Sequence, residues 1–367
     1  MIQKQAFRFF DITHFLLVLS ISCVGLLFVF SATYRDAAPF SIFFKKQAFG
    51  LCCGLGIYAL FTLIDYRISM RYAYFAYYLL IATLLFTLIK GSIGMGAQRW
   101  INCGFFKLQP SELAKILFPA YMVYSLDAAH KKFPTPFKTF LPILIMLFIS
   151  VFLIMRQPDL GTALLVLFVG LILCWLDGLS RTFFIALLCA TLCTLPFIRY
   201  VLKPYQQKRI AVFLGYGSSD KERYQIEQAH IAIGSGGLCG KGLLHGTQNK
   251  LHFLPEGRTD FIFAVLCEEW GLVGALFLIG LYCALFFRSL MIINQLNDRY
   301  IQLLALGLLL HIILSTIINI GMVLGLLPVV GIPLPLMSYG ISNLWVNMAS
   351  LGWFQNIAMQ RLFRREL

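Results

Sequence analysis

His252-Phe-Leu-Pro-Glu-Gly-Arg-Thr-Asp-Phe-Ile-Phe-Ala-Val-Leu-Cys-Glu-Glu269 closes the longest polar segment of the chain and opens a long apolar run. Asp260 stands at that junction. A carboxylate at the mouth of a membrane helix is costly to hold ionised, so such an acid is a functional candidate. The same position also suits a cap for a helix starting at Phe261, with the carboxylate bonded to free backbone N–H groups. The local sequence leaves both readings open. The rest of the chain has to weigh them.

The run after Asp260 is one of about ten. Apolar stretches fall near 14–32, 47–64, 72–90, 111–126, 140–155, 160–176, 182–199, 260–287, 301–327 and 340–360. Most have the roughly 17–25 residues that carry a helix across a bilayer. With 59% hydrophobic and 13% charged residues among 367, the chain reads as an all-α polytopic membrane protein. A soluble chain carries about 25% charged residues. No room remains for a soluble domain, so residues 1–367 form a single integral membrane domain. Its one long extracytoplasmic loop covers 200–258.

The first run is too long for a signal-peptide core and is flanked by charge, so it is a retained helix. Ten spans put both termini on one side. The loops assigned inside hold Lys4, Arg8, Arg67, Arg71, Lys131, Lys132, Lys138, Arg181, Arg288 and Arg299. The tail adds Arg361, Arg364 and Arg365, and short loops assigned outside hold roughly half as many cations. The positive-inside rule therefore makes both termini cytoplasmic. The net charge of +14 includes about nine basic residues in the outer loop, a surface suited to anionic ligands or lipid headgroups, or to plain interfacial solvation. Ten cysteines fall mostly in apolar helices, which argues against a disulfide framework, though Cys103 and Cys239 share the outer side.

Polar clusters recur on that outer side. In loop 91–110, glycines permit tight turns and Gln98, Arg99 and Trp100 suggest an ordered interfacial patch. Pro110-Ser111 then opens a helix whose Glu112 and Lys115 share a face at i and i+3. Such a pair anchors a helix at the interface, or else faces a polar cavity where Lys115 holds phosphate. Arg156-Gln-Pro-Asp159-Leu-Gly-Thr162 sets Asp159 at another helix start, although Pro, Asp and Gly make a turn unaided. Three acids at helix starts on one face suggest a shared polar cavity.

Within 200–258, residues 203–214 mix basic and apolar side chains and suit the membrane surface. Tyr224–Ile233, with Gln228, is amphipathic and runs into Gly234-Ser-Gly-Gly237. The run IGSGGLCGKGLLHG, with Lys241, lacks P-loop spacing and follows no strand, which excludes a nucleotide loop. Asn319-Ile-Gly-Met322 breaks the ninth span. The Pro/Gly-rich segment 325–340, with Ser338, reads as irregular backbone lining a cavity, since bare backbone cannot face lipid.

Taken together, GAQRWI, QPSELAK, QPDLGTALL, YQQKRIAVFL, TDFIFAVLCEEWGLVG and NIGMVLGLLPVVGIPLPLMSYG resemble the SEDS family (shape, elongation, division, sporulation). The glycine-rich run continuing through GTQ into LHFLPE is similar to the elongation branch more than the division branch. The resemblance implies a GT-C-like fold and a peptidoglycan glycosyltransferase that polymerises lipid II into glycan strands. It also implies a class B penicillin-binding protein and other elongation-complex proteins as partners in the bacterial inner membrane, and no nucleic acid. It carries the family's catalytic acid onto Asp260.

Two departures stand out. Ile341-Ser342-Asn343 follows Gly340 where the family usually has Gly-Ser-Ser. Arg258 precedes Thr259 where His or Ala is frequent.

One inversion at an anomeric carbon needs a base for the acceptor hydroxyl and cations for the departing pyrophosphate. Asp260 suits the base. Lys115, Arg99, Arg258 and Lys241 suit the phosphates, with Glu112, Asp159, Gln228 and Ser338 as further substrate-binding candidates. A divalent cation such as Mg or Mn would find hard oxygen ligands in Asp260 and Glu112. Broken helices, an ion pair and a Pro/Gly loop are transporter features as well, so a lipid-precursor flippase is the competing expectation.

Overall fold

In the computed structural model the described residues are 9–36, 39–94, 97–102, 107–130, 136–194, 207, 211–212, 220–251 and 253–363. Helices α1 (Ile12–Thr33), α2 (Ile42–Leu63) and α3 (Tyr66–Lys90) come first. Strands β1 (Ser92–Gly94), β2 (Ala97–Asn102) and β3 (Lys107–Leu108) follow. Then come α4 (Pro110–His130), α5 (Pro136–Arg156), α6 (Leu160–Leu176) and α7 (Arg181–Thr194). The last part holds α8 (Asp220–Gly236), α9 (Thr247–Lys250), α10 (Ile262–Asn294), α11 (Arg299–Val323) and α12 (Ile341–Phe363).

Each of the ten apolar stretches falls on one of these helices. Six helices (α1, α2, α3, α5, α10 and α11) are long and apolar enough to cross a membrane, while α6 and α7 are apolar but shorter. Helices α4 and α12 reach 21 and 23 residues but are diluted by polar side chains. Those of α12 are turned inward. Asn347, Ser350, Gln355 and Asn356 are buried, and Asn356 Nδ2 donates to Thr62 O at 2.8 Å while its Oδ1 accepts from Tyr66 N at 2.9 Å. A helix in the middle of a bundle needs no apolar circumference, only satisfied polar groups. Gly352 lets α12 press on α2, where an added Cβ would stand 2.3 Å from Tyr58 O.

The fold is helical as expected, with one small addition and two corrections. Strands β1, β2 and β3 form a small antiparallel meander that pairs Ile101 with Leu108. The ordered patch foreseen at 91–110 is thus partly strand. Asn319-Ile-Gly-Met322 does not break its span, since α11 runs through to Val323. Asn319 is instead buried in the helix, its amide nitrogen donating to two tertiary carbonyls. The helix after Asp260 begins at Ile262, not Phe261.

The apolar side chains form two clusters. One gathers α3 to α7 with α11 and the far half of α12; the other gathers α1, α2, α8, α10 and the segment before α12. Large apolar side chains such as Phe152 on α5 and Phe277 on α10 remain exposed, as lipid-facing positions of a multi-pass membrane protein do. The nine cysteines among the described residues are free; Cys103 and most of 203–214 lie outside those residues.

Candidate active site

The turn before α10 is built from its own backbone. Glu256 O accepts from Thr259 N at 3.0 Å and from Phe261 N at 3.3 Å, and Thr259 Oγ1 donates to Glu256 Oε2 at 3.0 Å. Phe261 holds the N-cap position, with no side-chain hydrogen bond to the helix start. Asp260 therefore precedes the cap and is half-buried.

A second segment straps this turn in place. Ser338 Oγ donates to Thr259 O at 2.6 Å and accepts from Leu334 N at 2.8 Å. Tyr339 N donates to Arg258 O at 2.9 Å. Asn319 Nδ2 donates to Asp260 O at 3.0 Å and to Ile332 O at 2.8 Å. Residues 258, 259 and 260 thus have their carbonyls pinned in succession. Gln47 on α2 holds the other side of the strap, donating to Ser338 O at 3.2 Å and accepting from Gly340 N at 3.3 Å. The Pro/Gly segment does what irregular backbone in a membrane fold must do, which is to have its polar groups paired inside protein. Ser338 is engaged in that framework, not held free for a ligand.

The strap leads into α12, and α12 leads to the ion pair. Lys115 Nζ meets both oxygens of Glu112 at 2.8 Å, with both side chains buried. Asn343 Nδ2 donates to Glu112 Oε2 at 2.9 Å and Asn347 Nδ2 donates to Asn343 Oδ1 at 2.6 Å. The departure at Asn343 therefore has a role here, as it supplies the donor that ties Glu112 to α12. Ser342 Oγ donates to Lys107 O at 2.7 Å, fixing the β3 strand to the same helix start. Beside this pair, Asp159 caps α6 through Thr162 N at 3.3 Å and accepts from Gln109 Nε2 at 2.6 Å and Ser111 Oγ at 2.9 Å. Arg99 approaches Asp159 at 3.6 Å.

Glu112, Lys115, Arg99, Asp159, Arg258, Asp260 and Ser338 are therefore joined at one end of the bundle by a continuous chain of contacts. The guanidinium of Arg258 lies 3.9 Å over the Phe43 ring, and Phe43 meets Tyr339 edge-on at 5.4 Å. Gln228 sits partly buried on α8. Lys241 belongs elsewhere. Its ammonium pairs with Glu268 at 2.7 Å, in a buried cluster farther along α10.

The glycine-rich run explains that placement. Gly271 has φ 64° and ψ −160°, so α10 is two helices meeting at a kink. The loop after α8 fills the broken ladder: Lys241 N donates to Glu268 O at 3.0 Å and Gly242 N to Glu269 O at 2.9 Å. In return Gly237 O accepts from Leu272 N at 2.9 Å and Leu238 O from Val273 N at 3.1 Å. A Cβ on Gly240 would stand 2.1 Å from Glu269 O. The glycines are there for backbone contact with a helix, not for cradling phosphate.

Sequence reasoning missed Asn319, Gln47, Asn343 and Glu268. The first three are neutral polar residues in apolar surroundings, a weak signal. Glu268 and Glu269 as two adjacent acids inside an apolar run were a strong signal left unused. Among the described residues no three His, Cys, Asp or Glu side chains come together in a way that could hold an ion.

A helical membrane bundle with a carboxylate at a strapped helix mouth and a buried ammonium at the same end defines a class, the polytopic membrane protein with a charged site built into one end of its bundle. Comparison narrows it. The cell cycle protein family model, FtsW/RodA/SpoVE, matches residues 12–362. The peptidoglycan glycosyltransferase MrdB of Escherichia coli K12 is 38% identical over 96% of this chain and 94% of its own. The peptidoglycan glycosyltransferase RodA of Treponema pallidum is 30% identical over 96% and 98%.

Among solved structures, the Thermus thermophilus rod shape determining protein RodA superposes with a TM-score of 0.71 at 27% identity, covering 96% of this chain and 97% of that one. A chain from a study of the coordination of polymerization and crosslinking by a peptidoglycan synthase complex reaches 0.81 at 28% identity, covering 96% and 98%. The chain belongs to the SEDS family of peptidoglycan glycosyltransferases.

Proposed function

We propose that this chain polymerises lipid II into β-1,4-linked glycan strands, releasing undecaprenyl pyrophosphate, in service of cell elongation and rod shape. Asp260 is the general base. It takes the proton of the acceptor sugar's hydroxyl as that oxygen attacks the donor's anomeric carbon, and the bond from that carbon to the pyrophosphate breaks on the opposite face. The leaving group gains negative charge, which Lys115 and Arg258 stabilise, with Arg99 behind them. Glu112 holds Lys115 in place, and Asp159 does the same for Arg99.

One observation carries the reading. The carbonyls of residues 258 and 259 are pinned to the segment that leads directly through Asn343 to Glu112 and Lys115, and that of Asp260 to Asn319 on α11, which also holds Ile332 of the same segment. A base and a cation are thereby held in fixed relation at one end of an apolar bundle, which is the pre-organisation that acid–base and electrostatic catalysis require. In this reading Ser338 frames the site and Lys241 acts at a distance from the phosphates. Gln228 is assigned to the rim, where a substrate headgroup passes α8.

Magnesium or manganese has a supporting place only. Such an ion keeps several waters and is commonly held by one or two carboxylates together with substrate phosphates, and Asp260 offers one. No step above depends on it.

The same reading sets both termini in the cytoplasm, the loop 200–258 outside, and the chain in the bacterial inner membrane. A class B penicillin-binding protein and other elongation-complex proteins are its partners. An assay of the purified protein with labelled lipid II, scored for glycan chains against translocation of intact lipid II, tests the proposal. Chains are expected. Translocation without chains overturns it in favour of a flippase.

A further inference from the structure

We propose that the Lys241–Glu268 ion pair is a positioning latch that holds the first half of α10, and with it Asp260, at its working angle. This rests on Asp260 being the base. The observation is a division of labour along one short helix. Ile262–Trp270 is an independent segment, because the Gly271 backbone interrupts the hydrogen-bond ladder. The strap holds its first end. Its other end lies about 12 Å away at 1.5 Å per residue. There the holding is done by the glycine-rich loop.

The loop could dock through backbone contacts alone, so the charges need their own account. Glu268 has no exposure, and burying a carboxylate in an apolar helix is costly unless donors surround it. One oxygen, Oε1, accepts from Lys241 Nζ at 2.7 Å, Thr247 N at 2.7 Å, Thr247 Oγ1 at 3.0 Å and Gln248 N at 3.1 Å. One donor comes from the glycine-rich loop and three from the first residues of α9, which the loop leads into. The other oxygen has no hydrogen-bond partner among the described residues. Lys241 Nζ also donates to Thr247 Oγ1 at 2.8 Å, which closes the loop on itself around the carboxylate.

Gly246 permits this approach, since a Cβ there would stand 2.9 Å from Glu268 Oε2. Next to it Glu269 accepts from Ser31 on α1, so the half-helix is fastened to the bundle as well as to the loop. A charge-assisted cluster of this kind is geometrically demanding and fails when one member is removed. Freed at the kink, the half-helix tilts about its strapped end and turns the Asp260 side chain out of line, and a misplacement of about 1 Å at a reacting group costs about a hundredfold in rate.

The test uses the full chain in detergent or nanodiscs with lipid II. Lys241→Ala and Glu268→Gln are each expected to lower kcat by about tenfold or more, with KM changed less than about twofold, as loss of alignment without loss of substrate contact requires. The double variant should be no worse than either single, and Lys241→Arg should recover most of the rate. Amide exchange should rise in 262–270 and stay unchanged in 272–294.

A rise in KM for Lys241→Ala with Glu268→Gln silent overturns the latch and makes Lys241 a substrate contact. Unchanged exchange in 262–270 overturns it as well. So does a uniform rise across both halves with loss of folded protein, which reports a general structural role. Asp260→Asn is measured in parallel. If that variant keeps turning over, the assignment of the base fails, whereas the exchange result still decides whether the pair restrains the half-helix.

Discussion

The hydroxyl of Ser338 donates to the carbonyl of Thr259 at 2.6 Å, joining the segment before α12 to the residue that precedes Asp260. The same oxygen accepts from Leu334 N, so one small side chain satisfies two backbone groups buried in different segments. Ser338→Ala removes both bonds and leaves a carbonyl and an N–H unpaired, at about 1–3 kcal/mol for each buried group. The expected outcome is folded protein with a lower melting temperature and lipid II turnover reduced about tenfold. Ser338→Thr keeps the hydroxyl and should retain more activity than Ala. Equal activity of Ala and wild type in the polymerisation assay would show that the strap does not position the site.

Glu112 and Lys115 should fail differently when separated. Removing one partner of a buried pair costs about 3–5 kcal/mol because a charge is left uncompensated. After Lys115→Ala, Glu112 still accepts from Asn343. After Glu112→Ala, Lys115 loses the hydrogen-bond partner it has among the described residues. Lys115→Ala is therefore expected to keep a measurable fraction of the protein while cutting polymerisation by at least about a hundredfold. Glu112→Ala should lower abundance as well. Quantitative blotting beside the polymerisation assay checks both, and wild-type turnover in Lys115→Ala rejects the cation's role.

At the opposite end of α10, Arg288 NH2 meets Asp11 Oδ2 at 2.6 Å, and Asp11 also caps α1 through His14 N at 3.0 Å. Burial pushes the Asp11 carboxyl up, but the Arg288 hydrogen bond, the His14 N–H and the Arg288 charge together hold it below its ordinary value. A carboxylate lowered on folding stabilises the fold above its unfolded pKa, and the contribution disappears as pH falls through the folded pKa. Thermal unfolding of wild type and Asp11→Asn should thus differ by several degrees near neutrality and converge below about pH 4, since unperturbed aspartate titrates near 3.9. A difference that persists undiminished at pH 3 is the contrary result.

How far the sequence reaches is clear from particular residues. The ten apolar runs name their helices because a bilayer imposes length and apolarity on each one separately. Asp260, Glu112 and Lys115 stand out for the same reason, as charges in apolar surroundings. Ser338 and Asn319 do not, because their partners are backbone carbonyls 79 and 59 positions away and carry no sequence signature. Glycine is ambiguous in a different manner. It permits close approach to phosphate and to peptide equally, so the run around Gly240 could be assigned only after Gly271 was found at the kink. The short strands escaped because β1 and β3 have only three and two residues, too few for an alternation to register.

Asp260 is where the two opening readings separate. As a cap it would bond the first turn of α10, yet Phe261 occupies the cap position and the helix begins one residue later than a capping aspartate requires. Its carbonyl is held by Asn319, so the backbone at this point is fixed whatever the side chain is. Asp260→Asn keeps the size and the hydrogen-bonding oxygen but loses the ionisable group. A cap tolerates that exchange nearly unchanged. A general base does not, because an amide cannot accept the acceptor hydroxyl's proton, and loss of acid–base catalysis costs about a hundred- to ten-thousandfold. The variant is expected to insert, fold with a melting temperature within a few degrees of wild type and bind lipid II, while glycan chains fall by at least about a hundredfold. Long chains at a near wild-type rate would return Asp260 to a purely structural place at the helix mouth.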